Sequence, residues 1–187
     1  YDATAVDFLE TLRVPCYKVA SYEATDILLL KKIAATKKPV IMSVGFASLP
    51  EIELSVKTLR RGHVRNLAIL QCTTSYSDTD RPDATNLRTM RDIADRFGVV
   101  VGFSDNMGGI EAPALAVAAG ASIIEKHIVL RHDPAILDDR FSLDADAFTA
   151  MVQKIRVVER MLGKVAYGPQ TPQEAYNRRF RRSFLCR

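Results

Sequence analysis

The residues with the clearest chemical potential stand close together, in the segment SIIEKHI at positions 122–128. An Ile-rich run preceded by Gly120 and followed by polar residues predicts a buried strand. Because side chains alternate along a strand, Glu125 and His127 should point to one face and Lys126 to the other. A carboxylate and an imidazole on one face can exchange protons or bind a metal ion. The alternative is structural, with Glu125 and Lys126 as surface charges and His127 as a hydrogen-bonded core residue.

Five apolar segments alternate with segments of helical periodicity, which predicts a parallel β/α fold. The predicted strands are residues 17–21, 39–43, 67–72, 99–103 and 122–128. Helical spacing and capping residues predict helices at about 2–13, 25–35, 48–61, 87–97, before Gly120, and 144–162. The polar segment between residues 72 and 82 is predicted to be a loop.

Polar residues follow every predicted strand. In parallel β/α folds the site lies at the carboxyl ends of the strands, so these side chains should meet. A lysine surrounded by hydroxyl groups would suit a phosphate or carboxylate. For any single hydroxyl, the alternative is that it caps the following helix, but convergence from five strands favours a binding site. The residues are Lys18, Ser21 and Glu23; Ser43; Thr73, Thr74 and Tyr76; Ser104, Asp105 and Asn106; and Glu125, Lys126 and His127.

Composition limits the class of protein. The 187 residues are 48% hydrophobic and 26% charged, enough for one sizeable core. No apolar run is long enough to span a membrane and no signal peptide is recognisable, so we predict a cytoplasmic protein without a membrane partner. Three scattered cysteines, Cys16, Cys72 and Cys186, indicate neither a disulfide framework nor a zinc site.

The charge distribution argues against nucleic-acid binding. The formal net charge is +4, yet the last ten residues hold five arginines and no acid, so the rest of the chain is close to neutral. There is no recognisable nucleic-acid-binding motif. Neither a Walker A sequence nor GxGxxG is present, which argues against a nucleotide cradle.

Six motifs, in order along the chain, resemble the barrel of the sialic-acid synthase family. They are YKVASYEA (17–24), KPVIMSVG (38–45), QCTTSY (71–76), VGFSD (101–105), GASIIEKH (120–127) and RFSLD (140–144). The resemblance implies a (β/α)8 TIM barrel, of which residues 1–165 would supply only the last five βα units, strands four to eight. Residues 166–187 would be an Arg-rich linker towards an antifreeze-like (SAF) domain. We therefore expect the chain to be a fragment, inactive alone, with an unpaired edge at its first or last strand.

The resemblance also implies an activity. The family condenses phosphoenolpyruvate with an N-acetylated hexose, or its 6-deoxy diacetamido analogue, to give a sialic or pseudaminic acid and phosphate. Segments 21–24 and 179–183 look closer to the pseudaminic acid branch. The full-length protein is expected to be a homodimer. The implied phosphoenolpyruvate-binding residues are Lys18, Ser21, Ser43 and Ser104, and the implied catalytic residues are Lys18, Glu23, Tyr76 and Asp138.

The family's divalent metal, Mn²⁺ or Mg²⁺, polarises the sugar aldehyde as a Lewis acid. Its implied ligand here is His127, with Glu125 nearby. The second family ligand is a histidine after Ser-Asp, and this sequence has Asn106 there. An amide oxygen binds Mg²⁺ or Mn²⁺ but is a poorer ligand for softer metals. The loop after Tyr76 also lacks the family's usual proline.

Two alternatives follow from these departures. One is a truncated or degenerate barrel that keeps an anion site without catalysis. The other is a different phosphoenolpyruvate- or aldol-type barrel without a metal at His127.

Overall fold

The computed structural model describes residues 1–182 and confirms the alternation of strands and helices. Two short 3-10 helices, Asp139–Phe141 and Arg178–Phe180, complete the regular structure of this part of the chain. The elements are α1 (Ala3–Thr11), β1 (Tyr17–Val19), α2 (Ile27–Ala35), β2 (Val40–Ser43), α3 (Leu49–Arg61), β3 (Leu67–Ser77), α4 (Pro82–Thr85), α5 (Arg88–Phe97), β4 (Val100–Met107), α6 (Glu111–Ala118), β5 (Ile123–Lys126), α7 (Ala145–Leu162) and α8 (Pro172–Asn177).

All five strands pair in parallel and lie in sequence order, from β1 to β5. Four interstrand spacings of about 4.8 Å would separate the first and fifth strands of a flat sheet by about 19 Å. Yet Nζ of Lys18, in β1, lies 3.3 Å from Oε1 of Glu125, in β5. The sheet is therefore curled into a half-barrel, as the expected barrel-type fold requires.

The two faces of this curled sheet differ in polarity because side chains alternate along each strand. The outer face packs against the helices through buried apolar side chains such as Val19, Met42 and Phe103. Burying a side chain of this size contributes about 1.5 to 3 kcal/mol relative to exposure. The inner face carries Lys18, and the strand register aligns Ser104 with its neighbours Cys72 and Glu125.

The lengths of several strands differ from the prediction, and β1 ends at Val19, two residues earlier than predicted. β3 continues to Ser77 and β4 to Met107, so Ser104, Asp105 and Asn106 lie within a strand and not in a loop. Parallel pairing persists there because Thr73 lies opposite Asp105 and its hydroxyl accepts a hydrogen bond from the Asn106 N–H at 3.2 Å. β5 is shorter than predicted, ending at Lys126.

Helix capping explains most of the helix boundaries. Asp26 and Asp144 accept hydrogen bonds from backbone N–H groups of the first turns of α2 and α7, and Ser48 forms a capping box with Glu51. Asp2 caps α1 in the same way by accepting from the Ala5 N–H, a cap that the sequence analysis did not predict. The short helix α4 was also not predicted.

The remaining sequence predictions concern cysteines and membrane spans. Cys16 is exposed and Cys72 buried, both as free thiols, whereas Cys186 lies outside the described residues. Within residues 1–182, none of the helices has both the length and the apolar character needed to cross a membrane.

A buried ion pair joins β4 to β5 on the outer face. Nζ of Lys126 lies 2.7 Å from Oδ2 of Asp105, and the two side chains are 1% and 0% exposed. The ammonium also donates to the carbonyl oxygens of Met107 and Gly109, the latter at 2.9 Å. Burial raises the pKa of the Asp105 carboxyl, and the charge of Lys126 opposes that shift. The interpretation of Lys126 as a surface charge is therefore wrong.

Replacing Lys126 by methionine should destabilise the protein strongly, because Asp105 would remain buried without a counter-charge. We expect Lys126→Met to lower the free energy of unfolding by about 3 to 5 kcal/mol in denaturant titrations of the full-length gene product. The control is Lys154→Met, which removes an exposed pair with Glu111 and should cost less than about 1 kcal/mol. Equal, small losses in both variants would contradict this prediction.

Candidate functional site

The half-barrel encloses a cavity of about 420 Å³ at the carboxyl ends of its strands. Of the ten residues proposed from sequence, nine line this cavity and Glu23 does not. The cavity also contacts Cys72, Thr74 and Tyr22. The nine residues are Lys18, Ser21, Ser43, Tyr76, Ser104, Asn106, Glu125, His127 and Asp138.

One side of the cavity is a network of four polar groups from β1, β2, β4 and β5. The Lys18 ammonium donates to Ser43 Oγ at 2.9 Å and lies 3.3 Å from Glu125 Oε1. The Ser104 hydroxyl donates to the same Glu125 oxygen at 2.7 Å. Ser43 and Ser104 are buried, whereas the Lys18 and Glu125 side chains are 30% and 42% exposed. The network thus places one cation, one carboxylate and two hydroxyl groups at the cavity.

Ser21 contributes by connecting two of the loops that follow the strands. Its hydroxyl oxygen accepts a hydrogen bond from the Gly45 N–H at 3.0 Å. A Cβ atom at Gly45 would approach Thr74 Cγ2 to 2.6 Å and the Cys72 carbonyl oxygen to 2.8 Å, so only glycine fits here without displacement. This packing places the ends of β1, β2 and β3 against one another at the cavity.

Asn106 is held in one orientation. Its amide nitrogen donates to the Thr73 carbonyl oxygen at 2.8 Å and to Cys72 Sγ at 3.6 Å, which identifies the nitrogen and the oxygen of the amide. These two hydrogen bonds use the amide nitrogen. The amide oxygen is left to accept a hydrogen bond or to bind a metal ion. Asn106 is 7% exposed and lines the cavity, so its amide oxygen is held in a fixed orientation in which it can serve as a ligand atom.

His127 lies on the other side of the cavity in an aromatic cluster with Tyr76 and Phe141. The His127 and Tyr76 ring centroids lie 5.0 and 4.8 Å from that of Phe141, with edge-to-face geometry. Nδ1 of His127 is 3.8 Å from Oδ2 of Asp138, too long for a direct hydrogen bond. The His127 side chain is 36% exposed, which argues against a satisfied core histidine. Residues 125, 126 and 127 all border the cavity, but the Lys126 side chain is buried in its pair with Asp105, as strand alternation predicts.

The hydroxyl of Tyr76 is held in its neutral form. Burial raises the pKa of Tyr76 to about 12, and a hydrogen bond with Tyr22 contributes to the shift. Tyr76 is therefore a hydrogen-bonding group and not an anion at neutral pH.

Glu23 lies apart from the cavity. Its Oε2 accepts a hydrogen bond from the Ala20 N–H at 3.1 Å, which closes the turn after β1. The side chain lines a neighbouring cavity of about 280 Å³ beneath α1. Its proposed catalytic role stays a prediction.

The metal-binding potential of the described residues is limited. They contain no group of three or more His, Cys, Asp or Glu side chains that could hold a metal ion. The carboxylate of Glu125 is already engaged by Lys18 and Ser104. His127 and the oxygen of Asn106 remain as the nitrogen and oxygen donors facing the cavity, a set compatible with Mg²⁺ or Mn²⁺ when other ligands complete the shell.

Some contributors to the site were not predicted from sequence. Phe141 and Tyr22 lie within the motifs quoted above, but their role at the cavity was not predicted. An aromatic residue in a motif is equally consistent with a place in the hydrophobic core. Thr73 was predicted to lie at the strand ends, but its contact with Asn106 depends on the register of β3 and β4.

The fold and the cavity define a class: a parallel β/α half-barrel whose lysine and serines converge on one site at the strand ends. The NeuB family model matches residues 1–167, and the chain belongs to this family. This confirms the resemblance to the sialic-acid synthases.

Three similar proteins illustrate the range of the family. The pseudaminic acid synthase of Helicobacter pylori is 35% identical over 164 residues, which cover 88% of this chain and 48% of that protein. The N,N'-diacetyllegionaminic acid synthase of Campylobacter jejuni is 34% identical over 165 residues, 87% and 49% of the two chains. A crystal structure of N-acetylneuraminic acid (sialic acid) synthetase from Leptospira borgpetersenii, in complex with citrate, superposes with a TM-score of 0.85 at 30% identity, covering 98% and 63%. The chain thus spans about half the length of these curated relatives.

The raised pKa of Tyr76 can be measured by following tyrosinate absorbance. The folded state keeps this proton up to about pH 12, whereas an unfolded chain loses it near pH 10; the resulting stability is complete below pH 10 and is lost between pH 10 and 12. We expect Tyr76→Phe to remove one tyrosine from the highest-pH part of the titration. The control is Tyr167→Phe, at a 93% exposed position, which should leave the highest-pH part of the titration unchanged. A highest-pH part that is unchanged in Tyr76→Phe would contradict the assignment.

Proposed function

We propose that this chain forms part of a nonulosonic acid synthase. The reaction condenses phosphoenolpyruvate with an N-acetylated amino sugar and water, forming a carbon–carbon bond and releasing phosphate. The observation that carries the proposal is the network of Lys18, Ser43 and Ser104 at the strand ends in a chain of the NeuB family.

The lysine side of the cavity suits phosphoenolpyruvate. Lys18 supplies a positive charge, and Ser43 and Ser104 supply hydroxyl donors from β2 and β4. Phosphate and carboxylate groups are bound by such charge-assisted hydrogen bonds. Ser21 would assist by holding the loop at Gly45 against this site.

The aromatic side of the cavity would receive the sugar. Tyr76 offers a neutral hydroxyl, Asp138 a half-exposed carboxylate, and His127 an imidazole, all within the same cavity. These groups can hydrogen-bond the hydroxyl and acetamido groups of a sugar. Because Glu23 sits in the turn after β1, its contribution would require the carboxylate to leave its hydrogen bond with the Ala20 N–H.

The proposal includes one divalent ion, Mg²⁺ or Mn²⁺. His127 and the Asn106 oxygen would hold it, and Asp138 would orient the imidazole ring only after moving closer to Nδ1 than the 3.8 Å seen here. Bound there, the ion would polarise the aldehyde oxygen of the sugar as a Lewis acid. Glu125 is a weaker candidate because Lys18 and Ser104 already use its carboxylate.

We also propose how the chain fits a complete enzyme. Residues 1–165 would supply strands four to eight of a (β/α)8 barrel, with β1 and β5 each pairing with a further strand. Residues 166–187 would be a linker towards an antifreeze-like domain, in a cytoplasmic homodimer. The described part of this segment supports a linker, because α8 buries none of its residues.

The sugar is proposed only as a class. The relatives named above make pseudaminic, legionaminic and N-acetylneuraminic acids. Acceptable acceptors are therefore an N-acetylated hexose and its 6-deoxy diacetamido analogue. The alternative of a non-catalytic anion-binding fragment is less well supported, because the characterised relatives named here are synthases.

Activity can be tested on the full-length gene product with phosphoenolpyruvate, Mn²⁺ or Mg²⁺, and each candidate sugar. We expect phosphate release coupled to a nonulosonic acid identified by mass spectrometry. Lys18→Met should lower kcat/KM by at least about 10²-fold because a charge at the anion site is lost. Lys31→Met, an exposed position on α2, should leave it unchanged.

The outcome with Asn106→His separates the proposed function from the degenerate alternative. Turnover by the wild type would support the synthase. No turnover by the wild type, together with turnover after Asn106→His, would show that the natural chain has lost its metal-dependent activity.

A further inference from the structure

The carboxylate of Glu125 occupies a position that an anionic substrate would need. Its Oε1 lies 3.3 Å from the Lys18 ammonium and accepts a hydrogen bond from the Ser104 hydroxyl at 2.7 Å. Lys18 in turn donates to Ser43 at 2.9 Å. One carboxylate oxygen therefore takes the cation and one of the two hydroxyl donors that face this side of the cavity.

A bound phosphate or carboxylate would compete with this arrangement. The same donors cannot be used fully by Glu125 and by a ligand anion, and the two negative charges would repel each other at this distance. The pair is only partly screened, since the Lys18 and Glu125 side chains are 30% and 42% exposed. Binding therefore has to displace Glu125 from Lys18.

We propose that Glu125 acts as an internal competing anion, a role beyond that of a weak metal ligand. This inference rests on the proposed function because it concerns the same anion site. When the site is empty, Glu125 keeps Lys18 and Ser104 hydrogen-bonded and in place. When phosphate is left after the reaction, Glu125 returns to Lys18 and promotes its release.

The proposed role also explains why a carboxylate is placed at position 125. Glu125 lies beside Ser104 in the register of β4 and β5, and across the curled sheet from Lys18. A carboxylate at this position reaches both donors at once. A residue without charge would leave the lysine more available to any anion, including inorganic phosphate.

The test measures anion binding directly, without sugar or metal. Isothermal titration calorimetry of the full-length gene product would use inorganic phosphate and, separately, phosphoenolpyruvate. Glu125→Gln keeps the shape and the oxygen that accepts from Ser104 but removes the charge. We expect it to bind both anions about tenfold more tightly than the wild type. In turnover assays it should also be more strongly inhibited by phosphate.

The matched control is Asp138→Asn, which removes the same charge from the same cavity at a residue that forms no ion pair with Lys18. It should tighten anion binding clearly less than Glu125→Gln does. An equal effect of both variants would show that only the net charge of the cavity matters, and would overturn the inference.

Three further outcomes are decisive. Unchanged affinity in Glu125→Gln would overturn the inference while leaving the proposed function intact. Weaker binding would show that Glu125 positions Lys18 for the ligand, which also overturns it. If neither protein bound phosphate or phosphoenolpyruvate, the anion site itself would be wrong, and the proposed function would fail with it.

Discussion

The curvature of the parallel sheet is the constraint on which the site depends. Lys18 and Glu125 belong to the first and fifth strands, and they can meet only because the sheet curls towards its inner face. The outer face is apolar and packs against the helices. The inner face, which is polar at the carboxyl ends of the strands, forms the wall of the cavity. Without the curl, the same residues would form a row of unrelated surface groups.

Three consecutive ionisable residues, 125 to 127, show how strand alternation divides the chemistry. Glu125 and His127 border the cavity, where water or a ligand can contact them. Lys126 faces outwards and is fully desolvated, so it needs Asp105 and two backbone carbonyl groups to satisfy its three protons. This buried pair joins β4 to β5, the strands that carry Asn106 and Glu125. The structural and the ligand-facing charges thus occupy opposite faces of one short segment.

Much of the fold was predictable because its signals are local. Apolar runs, capping residues and glycine stops gave all five strands and the longer helices. The strand ends were less predictable, because β3 and β4 extend through pairing with each other and polar side chains such as Asp105 find partners only across strands. At the site, the sequence could name the residues near the cavity, but not the orientation of Asn106 or the use of Glu23 in a turn. Those depend on single hydrogen bonds to backbone atoms, which leave no pattern in the sequence.

The edge strands carry a disproportionate part of the chemistry. Lys18 lies in β1, which is three residues long and pairs with one neighbour, and Glu125 lies in β5, which likewise pairs only with β4 among the described residues. Each residue of β5 keeps some exposed surface, although the Lys126 side chain is buried, whereas the inner strands β2 to β4 are mostly buried. An edge strand has unpaired backbone groups and is displaced more easily than a central strand. The distance between Lys18 and Glu125 is therefore the part of the site most sensitive to what pairs with these edges. Ser43 and Ser104 lie on the central strands β2 and β4, so their positions depend less on what pairs with the edges.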